Sequence, residues 1–215
     1  MATEPSTIRA PISMRGIATY AIIAGVIFAG LASVLISGRQ VGTPTSSALI
    51  EAAYPLVTGQ VQNFILYDAP QAAPGIGFKD DTGRDLDLKD FRGRYVLLNF
   101  WATWCAPCQR EMPSLDRLQA QLSGQNFYVL ALSEDRTGLE DVKSFFVETE
   151  LSELEIYIDD TGASSRTFAV GGLPATVLLD PAGNIVARMI GPAEWDSPEA
   201  ITFFQHFTAP TQLVE

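Results

Sequence analysis

The sequence predicts an α/β domain with a mixed central sheet, and three observations carry that prediction. Apolar runs rich in β-formers, Tyr95–Trp101, Phe127–Leu132 and Thr176–Asp180, alternate with segments of helical spacing. The segment after Cys108 sets Met112, Leu115, Leu118 and Leu122 three, three and four residues apart, which is one face of a helix. Near the end, the turn Pro181-Ala182-Gly183-Asn184 joins the third run to Ile185–Ile190, and a closing helix follows from about Ser197 to Phe207. Strand–helix–strand, then a hairpin and a helix, gives a layered domain whose sheet has both parallel and antiparallel pairs.

Taken in order, Met1–Arg15 is short and polar. Gly16–Ser37 then runs for 22 residues without a charge. As a helix it would span about 33 Å, enough for a hydrocarbon core of roughly 30 Å. That is longer than the apolar centre of a cleavable signal peptide, so a retained anchor is expected. Arg9 and Arg15 before the span, against Arg39 after it, place residues 1–15 in the cytoplasm and the body outside. Residues 38–64 read as a linker, rich in Gly, Thr, Ser and Pro up to Ser47, with a short helix at Ala48–Tyr54 stopped by Pro55.

The folded body is expected over residues 65–211. Pro70, Pro74, Gly75 and Gly77 make residues 68–77 a loop, and Asp81-Thr82-Gly83 is the turn of a hairpin between segments around Phe78 and Leu86. Leu88–Phe91 leads into the first long strand, and Ser123-Gly124 ends the helix after it. Leu139, Val142, Phe145 and Phe146 mark a second helix to about Glu150. A short strand at Ile156–Ile158 and a short helix around Ala163–Ala169 complete the order, with no internal repeats.

With 215 residues, 47% of them hydrophobic, the chain can bury a real core, which excludes global disorder. The net charge is −11; residues 1–40 carry +2, so the remainder carries −13. A body that acidic is a poor nucleic-acid binder.

The chemistry concentrates at Cys105 and Cys108, the only two cysteines, set where a buried strand ends and a helix begins. Free N–H groups and the positive end of the helix dipole stabilise a thiolate there. Cys105 is then the accessible nucleophile, and Cys108, further into the helix, the thiol that resolves a mixed disulfide. A zinc site would need four ligands, and the chain offers no second cysteine pair and a single histidine, His206. No metal or cofactor is expected. Glu111, one helical turn beyond Cys108, is either an acid–base partner of the dithiol with its pKa raised by burial, or a surface carboxylate favoured near a helix N-terminus. Trp104 is placed on the docking surface, Trp101 and Trp195 in the core, and His206 in a structural role. Pro113 should kink the helix.

With these residues in view, the chain resembles the thioredoxin superfamily, specifically the membrane-anchored TlpA/ResA-like thiol–disulfide oxidoreductases, over about residues 65–210. The resemblance rests on Asn99–Cys108, Glu111-Met112-Pro113, Gly172-Leu173-Pro174-Ala175-Thr176 and Asp180–Gly183; Gly191-Pro192-Ala193-Glu194-Trp195 looks most like the TlpA branch. It implies a thioredoxin-like fold, a mixed central sheet with helices on both faces, plus one N-terminal transmembrane helix. It makes Pro174 a cis-proline opposite the dithiol, with the Leu173 backbone open to an extended substrate segment. Thioredoxin has an Asp where this chain has Asn99, so buried proton transfer would fall to Glu111.

The resemblance also implies a reductase on the outer, periplasmic side of a bacterial cytoplasmic membrane, recharged by a membrane thiol transporter. Its clients would be apocytochromes c or copper-delivery proteins for cytochrome oxidase. Two other uses of the same cysteines remain open: a Sco-like copper chaperone, since Cu(I) favours thiolates, and a disulfide-forming oxidase. A peroxidase would need its reactive cysteine in a different loop.

Overall fold

The computed structural model describes residues 45–124 and 126–208. The predicted span Gly16–Ser37 lies outside the described residues; within them, no helix is long and apolar enough to cross a membrane.

Thirteen regular elements follow one another among the described residues. They are α1 (Ser46–Ala53), β1 (Ile65–Ala72), β2 (Gly77–Asp80), β3 (Asp85–Asp87), β4 (Tyr95–Trp101), α2 (Ala106–Leu122), β5 (Phe127–Ser133), α3 (Leu139–Glu148), β6 (Tyr157–Ile158), α4 (Ala163–Thr167), β7 (Ala175–Leu179), β8 (Asn184–Ile190) and α5 (Pro198–Thr208). The strands form one sheet in the order β1-β8-β7-β4-β5-β6-β2-β3. β4 pairs in parallel with β5, which it reaches through α2, and antiparallel with β7. The fold is thioredoxin-like α/β with a mixed sheet.

Every residue of β4 is buried, because the strand is central and covered on both faces. Side chains alternate along it, so Tyr95, Leu97 and Trp101 join one core while Val96, Leu98 and Phe100 join the other. The first core is closed by Met112, Leu115 and Leu118 of α2, Val142 and Phe146 of α3, and Phe203, Phe204 and Phe207 of α5. The second is closed by Phe91, in a short 3-10 turn at Leu88–Phe91, and by Phe168 at the end of α4. Asn99 shares the parity of Leu97 and Trp101 and therefore faces α2. α2 continues through Pro113, which lacks the N–H that would bond the Gln109 carbonyl.

Two stretches differ from their sequence reading. Residues 68–72, read as loop, belong to β1; Pro70 is tolerated because β1 lies at the sheet edge, and the pairing with β8 shifts register between Leu66 and Gln71. The second is the stretch read as a spacer, residues 38–64, whose described part is packed into the body. Ile50, Ala53, Val61 and Phe64 are buried in the first core, and Phe64 stacks on Phe203 with ring centroids 5.2 Å apart and meets Trp195 edge-on at 6.1 Å.

Phe64→Ala is therefore expected to lower unfolding stability by about 3–5 kcal/mol in denaturant titrations. A loss below about 1 kcal/mol would show that the segment is a passive spacer.

Candidate active site

The site is built at the end of β4. From Trp101 the chain turns outward through Ala102–Cys105, and the turn is pinned by Asp135, which is wholly buried. The Asp135 carboxylate accepts from the Thr103 N–H at 2.8 Å, the Thr103 hydroxyl at 2.5 Å and the Ser133 hydroxyl at 2.7 Å. Gln109, from the first turn of α2, donates to the Thr103 carbonyl. Cys105 is the residue that caps α2, its Sγ accepting the Cys108 N–H at 3.3 Å. Pro107 sits in the first turn, where a missing N–H deprives no carbonyl of a partner.

Cys105 and Cys108 are joined as a disulfide, with Cα atoms 5.2 Å apart. Cys105 keeps a small exposed surface, whereas Cys108 has none. Trp104 beside them is 68% exposed. The Leu173–Pro174 bond is cis. Phe100 pairs with Ala175, so this bond lies at the same end of the sheet as the cysteine turn. Leu173 is half-buried against both cores, and Ile190, paired with Ala175 from β8, exposes 57% of its surface at that end.

Glu111 is 2% exposed, so it is no surface carboxylate. Three donors meet it: Asn99 Nδ2 at 2.9 Å on Oε1, and the Ala193 N–H at 3.1 Å and Trp195 Nε1–H at 3.0 Å on Oε2. Asn99 Nδ2 also donates to the Thr176 hydroxyl at 3.0 Å. The donors favour the carboxylate, but burial outweighs them and pushes its pKa from 4.5 up to about 7. A group poised there can take up or release a proton near neutral pH.

Of the residues named from the sequence, Cys105, Cys108 and Glu111 lie on one turn-and-helix unit, and Leu173, Pro174 and Trp104 gather at the same end of the fold. His206 is structural: its Nε2–H donates to the Leu49 carbonyl at 2.9 Å. That leaves it committed elsewhere, and among the described residues no three His, Cys, Asp or Glu side chains form a candidate metal-binding group. The sequence reading missed Asp135, Ile190 and the second task of Trp195, which is core as expected but also donates to Glu111. A buried indole N–H needs an acceptor, and a buried carboxylate needs donors; that pairing was the available signal.

A family model described as the AhpC/TSA family matches residues 69–188, which include the cysteine pair and the cis-proline. The chain belongs to the AhpC/TSA family. Among curated relatives, a thiol-disulfide oxidoreductase ResA of Bacillus cereus is 36% identical over 119 residues, 55% of this chain and 68% of the relative. The thioredoxin-like protein YneN of Bacillus subtilis (strain 168) is 35% identical over 121 residues, 56% of this chain and 71% of that protein. Among solved structures, a putative thiol:disulfide interchange protein DsbE from Chlorobium tepidum superposes with a TM-score of 0.56 at 28% identity, covering 64% of this chain and 95% of that one. A thiol:disulfide interchange protein from Bacteroides sp. gives 0.57 at 27% identity, covering 67% and 92%. This AhpC/TSA member is a thiol–disulfide oxidoreductase of the thioredoxin superfamily.

Burial of Glu111 has a stability signature. The folded protein holds this proton more tightly than the unfolded chain does, so the stabilising linkage is complete below about pH 4.5 and fades as pH rises towards 7. The loss across that window is roughly 3 kcal/mol. In the oxidised protein, Glu111→Gln is expected to remove that slope, so unfolding curves of variant and parent diverge in favour of Gln between pH 4.5 and 7. Parallel curves would return Glu111 to an ordinary carboxylate.

Proposed function

We propose that the chain is a membrane-anchored reductase of protein disulfides, with its catalytic body outside the cytoplasm, on the TlpA branch of the family. The Cys105 thiolate attacks a client disulfide, forming a mixed disulfide and expelling one client thiolate. Cys108 then loses its proton and attacks Cys105 Sγ, which releases the second client thiolate and closes the disulfide. Two electrons pass to the client. The observation that carries this reading is Glu111, buried with a pKa of about 7 one helical turn from the buried Cys108. It serves as acceptor for the Cys108 proton, the step that a buried thiol cannot complete alone. Asn99, an amide, cannot take that part. Trp104 and Leu173, beside Pro174, form the surface that receives the client segment.

Compartment and tether fit this direction but would also serve an oxidase; the TlpA-like motifs tip the balance towards reduction. Outside the cytoplasm a dithiol drifts to the disulfide unless it is recharged. A span at Gly16–Ser37 would hold it beside a membrane thiol transporter at high effective concentration. Relatives named for thiol–disulfide exchange support the exchange chemistry, and the resemblance of Gly191–Trp195 to the TlpA branch supports clients in cytochrome c maturation or copper-site assembly of cytochrome oxidase.

Equilibration with glutathione buffers is expected to place the couple nearer the thioredoxin value of about −270 mV than the DsbA value of about −120 mV, and Cys108→Ser should trap cytochrome-assembly proteins as mixed disulfides. A potential at the oxidising end reverses the direction. For topology, protease added to intact spheroplasts should digest the body; full protection rules out the external placement.

A further inference from the structure

The segment between β8 and α5 lies along one stripe of α2. Its contacts fall on Glu111, Ser114 and Arg117, three residues apart and therefore stacked on one helix face. On the inner side, Ala193 N–H and Trp195 Nε1–H both reach Glu111 Oε2. Below them the Trp195 N–H donates to the Ser114 hydroxyl at 3.0 Å, and that hydroxyl donates to the Glu111 carbonyl at 2.8 Å. On the outer side Arg117 clasps the same segment, with Nε 2.5 Å from Asp196 and Nη2 2.7 Å from Glu194. The family match ends at residue 188, so this strap lies beyond it.

We propose that Trp195 is a positioning residue for the dithiol reaction: its indole N–H holds the Glu111 carboxylate, one helical turn from Cys108, in place, and Arg117 fastens the segment that carries it. The inference rests on the reading of Glu111 as proton acceptor and adds what governs it.

An indole N–H can only donate, so it favours the ionised carboxylate over the acid. The other groups meeting the Glu111 carboxylate are Asn99 from β4, with Thr176 of β7 behind it, and the Ala193 N–H, while Cys108 and Ser114 stand one turn to either side of Glu111 on α2. The charged members of the strap, Glu194 and Asp196, are turned out to Arg117, whose hydrogen bond keeps Asp196 below its usual carboxylate value. The balance at Glu111 is therefore set by burial against three donors, and Trp195 supplies one of them. Its ring packs against Phe64 and Phe204 at 6.1 and 6.2 Å, contacts that a phenyl ring keeps. Trp195→Phe thus deletes the N–H and leaves an apolar ring in the core.

The chain has three tryptophans, so its proton–nitrogen spectrum holds three indole resonances, and the one missing from Trp195→Phe is assigned to Trp195. In the full chain that resonance is expected to titrate with a midpoint near pH 7 and to be flat in Glu111→Gln. In the reduced protein, the pH profile of thiol alkylation should move down by about a pH unit or less in Trp195→Phe, because a carboxyl that stays protonated to higher pH repels the neighbouring thiolate less. It should not move when the same change is made in Glu111→Gln. An indole resonance flat from pH 5 to 9, or an equal shift in both backgrounds, overturns the proposal. Should Trp195→Phe fail to fold, comparing the indole titrations of the parent and Glu111→Gln still decides it. A titrating indole together with thiol reactivity that ignores Glu111 would instead overturn the proton-acceptor reading and leave the clasp standing.

Discussion

Burial of β4 on both faces is the constraint from which the rest follows. A central strand covered above and below must commit alternate side chains to two separate cores. It does so at every position but one, where Asn99 is polar and fully buried on the α2 side. A buried amide needs partners, and it finds them in Glu111 and Thr176. Its amide oxygen has no partner among the described residues, so both of its contacts are donations. That arrangement suits an ionised neighbour, and it links β4, β7 and α2 through one amide.

Glu111 then sits between opposing effects of similar size. Three donors aimed at a carboxylate normally depress its pKa, while nearly complete burial raises it. Burial wins, but only far enough to bring the group near neutrality. Without the donors the carboxyl would stay protonated over a wider range and would accept no proton from a thiol. Without the burial it would ionise near its ordinary value and hold a proton too weakly to return one. The carboxylate sits on the helix that carries Cys108, while its three donors come from β4 and from the segment between β8 and α5.

Much of this was legible in the sequence, and the legible parts share a cause. Periodicity over long apolar segments marks β4, β5, α2 and α3, because those elements meet large surfaces along their whole length. The strand-to-helix placement of Cys105 and Cys108 followed from the same pattern, as did a place for Glu111 one turn inward. What failed to show has its partner far away in sequence. Pro70 reads as a loop signal unless the strand is known to lie at a sheet edge. Ile50, Ala53, Val61 and Phe64 are too widely scattered to form a stripe, and the aromatic face that buries them, on α5, comes about 140 residues after Phe64. Trp195 meets Glu111 across 84 positions. An apolar ring explained its burial, so nothing local asked what its N–H was doing.

The acidic composition also changes meaning once the structure is known. Several carboxylates that make the body so negative are buried fasteners of loops. One oxygen of Asp116 accepts the N–H groups of Ser152, Glu153 and Leu154, tying the chain after α3 to α2. Asp159 holds Thr161 and Ser164, Asp180 holds Ala182 and Asn184, and Asp80 holds Thr82 and Arg84. Asp135 does the same for the turn that carries the cysteines. A buried carboxylate that accepts backbone N–H groups satisfies their hydrogen bonds and its own, which is how these loops keep acidic residues inside. Part of the net charge therefore reflects loop architecture. At the end of the sheet where the disulfide lies, the exposed surface is apolar, made by Trp104 and Ile190 with half-buried Leu173.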